Sequence, residues 1–144
     1  YYVLYISLPD RARDGVRIFR NKSFTRFAKK AALDDGALRK AVEDAERGLI
    51  DAQLGGGVIK QRVARPGKGK SGGFRTIILY KVHALAFFVH GSAKKDQDNI
   101  GDRELAALKL LASQMLSFDD QAISKAVESG TLIEVSRHEK DKTV

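Results

Sequence analysis

The stretch "RVARPGKGKSGGFRTIILY", residues 62–80, decides the fold, because the kind of element leading out of its glycines sets how the chain is built. Its first fourteen residues hold five cations and four glycines, and its end is an apolar, β-rich run. Ala64 to Ser71, "ARPGKGKS", fits a relaxed Walker pattern for a nucleotide-binding loop. Such a loop works only when a helix leads out of it and aims its N-terminal amides at phosphates. Here Gly72 and Gly73 come next, then Phe74 to Tyr80; paired glycines start helices poorly, and the run has strand character. No apolar run ending in aspartate supplies the second half of a Walker site. The stretch therefore reads as the loop and return strand of an antiparallel hairpin.

The strand entering the loop has a period of two. Ile59 and Val63 alternate with Lys60 and Arg62, so one face is apolar and the other cationic. "TIILY" and "ALAFFVH" come after the loop as continuous β-rich runs with a short connection around Lys81 to Ala84, which predicts a three-stranded meander. Upstream, "VRIF" (Val16 to Phe19) reads as a short strand. A helix then starts from a cap within Asn21 to Ser23, with Phe24, Phe27, Ala28 and Ala31 inward and Lys22, Arg26, Lys29 and Lys30 outward. A second helix after "LDDG" carries Leu38, Ala41, Val42, Ala45 and Leu49 on one side and ends at Gly48 and the "GGG" of 55–57. Downstream, Leu105, Leu108, Ala112 and Met115 mark a third helix with Asp102 as its cap. "SFDDQAISKAVESG" marks a short fourth helix, and "TLIEV" a closing strand.

With 144 residues and a hydrophobic fraction of 43%, the chain has the size and composition of one folded domain. The division expected is an extension over 1–15, a domain over 16–135 and a polar tail over 136–144, without repeats or an interdomain linker. The first hydrophobic segment, "YYVLYISLP", is far shorter than the roughly 20 residues that span a bilayer and has no secretory cleavage pattern. Cysteine is absent, which excludes disulfides and thiolate zinc sites and fits a reducing compartment.

The net charge is +8, and Lys60 to Arg75 contains six Lys or Arg and no acid. Such a patch attracts polyanions, nucleic acid first among them, with an anionic membrane, an acidic protein or a merely solvated face as the other readings. Lys60, Arg62 and Arg65 would lie on one arm, Lys68 and Lys70 at the tip and Arg75 on the return, all converging on one surface. Glycines 67, 69, 72 and 73 would let the backbone approach a phosphate. His83, His90 and His138 have no spacing that makes a metal-ligand pair, so neither metal nor cofactor is expected. His90, ending a strand just before Lys94 and Lys95, is either a satisfied histidine or a general acid or base.

The order of elements, with "FRNKSFTRFAKKAALDDGALRKAV", "GGGVIKQRVARPGKGKSGGFRTIILYK", "FFVHGSAKKDQDNIGDRELAALKLLA" and "SGTLIEV", resembles the RelE/ParE superfamily of type II toxin–antitoxin toxins, specifically its HigB-like RelE branch. The resemblance implies an α+β fold: a compact antiparallel sheet with an N-terminal helical hairpin and C-terminal helices packed on it. It also implies a cytoplasmic toxin that cuts mRNA in the ribosomal A site without metal, by attack of the substrate's 2′-hydroxyl on the adjacent phosphate. A cognate antitoxin, a HigA-like helix-turn-helix protein, would neutralise it; ribosome and mRNA would be its other partners, and no membrane is involved.

By position in the family pattern, Arg75 would stabilise the pentacoordinate phosphate and Lys60 or Arg62 would hold the scissile group. Lys60, crowded by cations, is also a candidate acceptor of the 2′-hydroxyl proton. Lys94, Lys95 or His90 would serve the leaving group. Arg65, Lys68, Lys70, Arg26, Lys29 and Lys30 would contact RNA or ribosome. One position departs from the branch, which places an aromatic after the glycine where this chain has Ser92; the loss either loosens the loop that carries Lys94 and Lys95 or removes a base-stacking surface, and so bears on whether this chain cleaves. A non-catalytic RNA binder, or a gyrase-inhibiting toxin of the ParE kind, would need the basic surface but no proton transfer.

Overall fold

A computed structural model of the chain describes residues 15–65, 67, 69–93 and 100–136. The hairpin at its centre is longer and tighter than the loop chemistry suggests. β3 (Val58–Arg65) pairs antiparallel with β4 (Gly69–Lys81), and Arg65 already faces Gly69 across a bulge. Gly69, Gly72 and Gly73 are therefore strand residues, and of the four loop glycines only Gly67 has a positive φ, 76°. No helix leaves the loop, which removes the nucleotide-binding reading. β4 continues through the turn at 82–84 into β5 (Leu85–Ser92), completing the expected meander.

Two strands differ from expectation. Residues 52–55 form β2 (Ala52–Gly55), paired with β3 through a two-residue turn in which Gly56 and Gly57 have φ of 63° and 85°. Tight hairpin turns of this kind need positive φ at both central residues. The glycine run is thus a hairpin turn rather than a helix terminator, and Leu49 lies beyond the helix, 55% exposed. β1 (Arg17–Asn21) pairs parallel with β5 and antiparallel with β6 (Leu132–Glu134). Among the described residues the sheet therefore has the order β2-β3-β4-β5-β1-β6 and is mixed rather than wholly antiparallel. The helical hairpin, α1 (Lys22–Ala31) and α2 (Asp35–Glu46), comes after β1 instead of starting the fold.

The helices divide between the two faces. On one, α1 and α2 bury Phe24, Ala28, Leu38, Ala41, Val42 and Ala45 against Ile18, Ile59, Val63, Ile78 and Phe88. Asn21 caps α1, its Oδ1 accepting from Phe24 N at 2.8 Å, and Asp34 caps α2 through Ala37 N at 3.0 Å. On the other face, α3 (Asp102–Met115) and α4 (Asp120–Glu128) cover Phe19, Val58, Ile77, Leu79, Leu85, Phe87 and Val89. The stripe Leu105, Leu108, Ala112 and Met115 packs as its spacing predicts, but the α3 N-cap is Gly101, and Asp102 sits inside the first turn.

The end of the sheet far from the glycine loop is tied by polar contacts. Glu46, at the end of α2, accepts from the Tyr80 hydroxyl, from His83 N at 2.9 Å and from His83 Nδ1 at 2.8 Å. Ser136, just past β6, donates its N–H to Asp35 and accepts from Arg39, so the last strand is stitched to α2.

Candidate active site

Residues paired across antiparallel strands project to the same face. The register therefore makes two rows on the α3 side of the sheet: Lys60, Ile77 and His90 in one, Arg62, Arg75 and Ser92 in the next. Lys60 and Arg62 arrive there by alternation with buried Ile59, Gln61 and Val63. Gln61 fixes that alternation from behind, donating to Ala41 O at 3.0 Å and Leu49 O at 2.9 Å while accepting from Asp51 N.

His90 and Ser92 arrive by a different device. Ile77 pairs with His90 but Ile78 pairs with Phe88, so Val89 is an extra residue, a β-bulge. Without it, His90 would follow Ala86 and Phe88 to the opposite face. Asn21, besides capping α1, donates from Nδ2 to the Val89 carbonyl at 3.4 Å. Directly behind, Phe27 of α1 lies on Gly91, so close that a Cβ there would overlap its ring. The aromatic series Phe88, Phe24, Phe27 and Phe74, with centroids 5.0, 5.6 and 5.4 Å apart, backs the bulge.

Between these rows and the first half of α3 lies a cavity of about 320 Å³. Its polar groups are Lys60, Arg75, Thr76, His90, Ser92 and Glu104; its apolar walls are Ile77, Val89, Ile100, Ala107 and Leu108. Arg75 is half-buried, with Nη1 donating to Gly73 O at 3.2 Å. His90 is exposed at the rim and Ser92 is buried. Among the described residues no three His, Asp or Glu side chains gather as a metal site needs. Among the described residues, the ionisable groups lining the cavity are the cations Lys60 and Arg75, one imidazole and one carboxylate.

The expected RNA-contacting cations do not all join them. Arg65 lies on the other face, its guanidinium stacked 5.0 Å from the Phe74 ring. Arg26, Lys29 and Lys30 are exposed on α1, across the sheet from the cavity. Arg62 is exposed beside Arg75, its N–H bonded to Asp51 at 2.5 Å. Lys70 is a β4 residue, while Lys68, Lys94 and Lys95 lie outside the described residues. Glu104 is a site residue that sequence reasoning misses; its only signal is an acid at the third position of a helix. Tyr80 lies on the helical-hairpin face and takes no part. A second cavity, about 450 Å³, opens on that same face beside Gly15, Ile18, Val42, Glu46 and Val135.

A family model described as the RelE toxin of the RelE/RelB toxin–antitoxin system matches residues 16–135. The chain belongs to this toxin family. The match begins beside β1 and ends beyond β6, so it takes in both rows and the cavity. Membership implies a toxin role and a cognate antitoxin. No curated protein matches the chain. Among the described residues no helix is long and apolar enough to cross a membrane.

Proposed function

We propose that this toxin is a ribosome-dependent, metal-independent mRNA endonuclease of the HigB-like branch, acting in the cytoplasm and neutralised by a helix-turn-helix antitoxin of the HigA kind. The observation that carries the reading is the convergence of Lys60, Arg75 and His90 on one cavity, with Arg62 beside it.

Each residue type suits a step of transesterification. The ribose 2′-oxygen attacks phosphorus, the P–O5′ bond breaks, and a 2′,3′-cyclic phosphate and a 5′-hydroxyl result. Arg62 holds the scissile phosphate, and Arg75 offers planar paired donors to the equatorial oxygens as their charge grows. Lys60, one row along, is the acceptor of the 2′-hydroxyl proton. His90 donates a proton to the departing 5′-oxygen, a role for which Lys94 and Lys95 are the alternatives.

Primer extension on a reporter mRNA in a translating extract tests this. The wild-type chain should cut only while translation runs, and Arg75→Ala should lower cleavage by about 10²-fold or more with its fold intact. Equal cleavage by the folded Arg75→Ala protein overturns the mechanism. Intact mRNA under the wild-type chain leaves a binder, and gyrase inhibition is then the next assay.

A further inference from the structure

We propose that the cavity under α3 is a nucleobase site and that Glu104 makes it select guanine. The proposal deepens the RNA-cleaving reading by assigning the base that lies next to the bound phosphate.

Proton transfer and phosphate binding explain Lys60, Arg75 and His90 but not the walls. Ile77, Val89, Ile100 and Leu108 surround the space with apolar surface. A chain of phosphates has no use for such surface, whereas the flat faces of a base do. At about 320 Å³ the cavity lies at the small end of the roughly 300–1,000 Å³ range of small-molecule sites, suited to a single ring system. Because Lys60 and Arg75 line the same space, a base inside it would keep its own phosphate beside them.

Glu104 supplies the polar edge. It lies on the first turn of α3 facing the cavity, and no side chain among the described residues engages its carboxylate. An ionised carboxylate has two acceptor oxygens and no donor. Guanine presents two adjacent donors, N1–H and the N2 amine, and so accepts a bidentate pairing. Adenine and cytosine place a ring acceptor beside their amine, and uracil flanks its one N–H with two carbonyls, so each would set a lone pair against the carboxylate. Such bidentate recognition discriminates by roughly five- to 150-fold. Ser92 makes the room: it is 7% exposed and lines the cavity, where an aromatic side chain would occupy the space.

The test is calorimetric binding of the four ribonucleoside 3′-monophosphates, which need no cleavage to report. The wild-type chain should bind guanosine 3′-monophosphate at least about tenfold more tightly than the adenosine compound. Glu104→Gln, which sets a donor against guanine's donors, should bring that ratio close to one. Ser92→Phe, shown to be folded by its melting transition, should weaken all four alike. Equal wild-type affinities, or a guanine preference that survives Glu104→Gln, overturn the proposal. Guanine preference with mRNA left intact would retain the pocket and refute the nuclease; cleavage without guanine preference would do the reverse.

Discussion

At the scale of single residues, two carboxylates share little but their charge. Glu104 faces a cavity, while Glu46 is enclosed by hydrogen-bond donors. Burial alone would raise the Glu46 carboxyl; the Tyr80 hydroxyl and the His83 backbone and ring N–H groups outweigh it, so the group titrates below its ordinary value. Burial, and then Glu46 itself, push the Tyr80 phenol above its ordinary value. A lowered carboxyl contributes stability above its unfolded pKa of about 4.3 and loses it as pH falls through the folded value. A raised phenol contributes below its unfolded pKa of about 10 and loses it as pH climbs past that point. Stability should therefore decline at both extremes. Tyr80→Phe should remove the alkaline limb, shrink the acid one and cost about 1–2 kcal/mol near neutrality, read from denaturant melts across pH. The cations of the site are legible in the sequence because residue type and alternation suffice to place Lys60 and Arg62 together. His90 is legible as a candidate but its face is not, because that depends on an inserted residue; Glu104 is not legible, because it depends on a helix that folds back from 44 positions beyond Lys60.

At the scale of elements, periodicity predicts α1, α2, α3 and the meander because each buries one regular face. It fails where glycines conceal a strand, as at β2, and where they extend one, as at the start of β4. In both places neighbouring strands supply the order that local propensity lacks. The bulge in β5 is the element on which the site turns, and it is held between Asn21 and Phe27. Gly91→Ala should force Phe27 aside and cost about 1–3 kcal/mol in thermal or denaturant unfolding. Because the strain reaches the strand carrying His90 and Ser92, cleavage should fall further than the loss of folded protein explains. A drop in activity matching the folded fraction alone would show that the bulge is insensitive to its backing.

At the scale of the whole molecule, β1 is the strand that local reading places least well. Its sequence marks a strand, but its position between β5 and β6 rests on partners far along the chain. Arg17 fixes one of those junctions, donating from Nε at 2.9 Å and Nη2 at 2.8 Å to the two oxygens of Glu134. Hydrogen bonding to that carboxylate raises the guanidinium's pKa despite partial burial. The pair is bidentate and half-shielded, and a double-mutant cycle on Arg17→Ala and Glu134→Ala should give a coupling of about 1 kcal/mol. A coupling near zero would assign the junction to Phe19 and Leu132 packing alone.

The place of β1 also has a consequence in time. β1, the first strand among the described residues, cannot pair with β5 until residues 85–88 have been synthesised, and its second edge stays open until residues 132–134 emerge. α3, the roof of the cavity, is made between those two events. A growing chain thus holds its cationic strands before it has a closed sheet around them. The order of synthesis thus places the closing of the sheet, and with it the backing of the cationic rows, after nearly all of this domain has been translated.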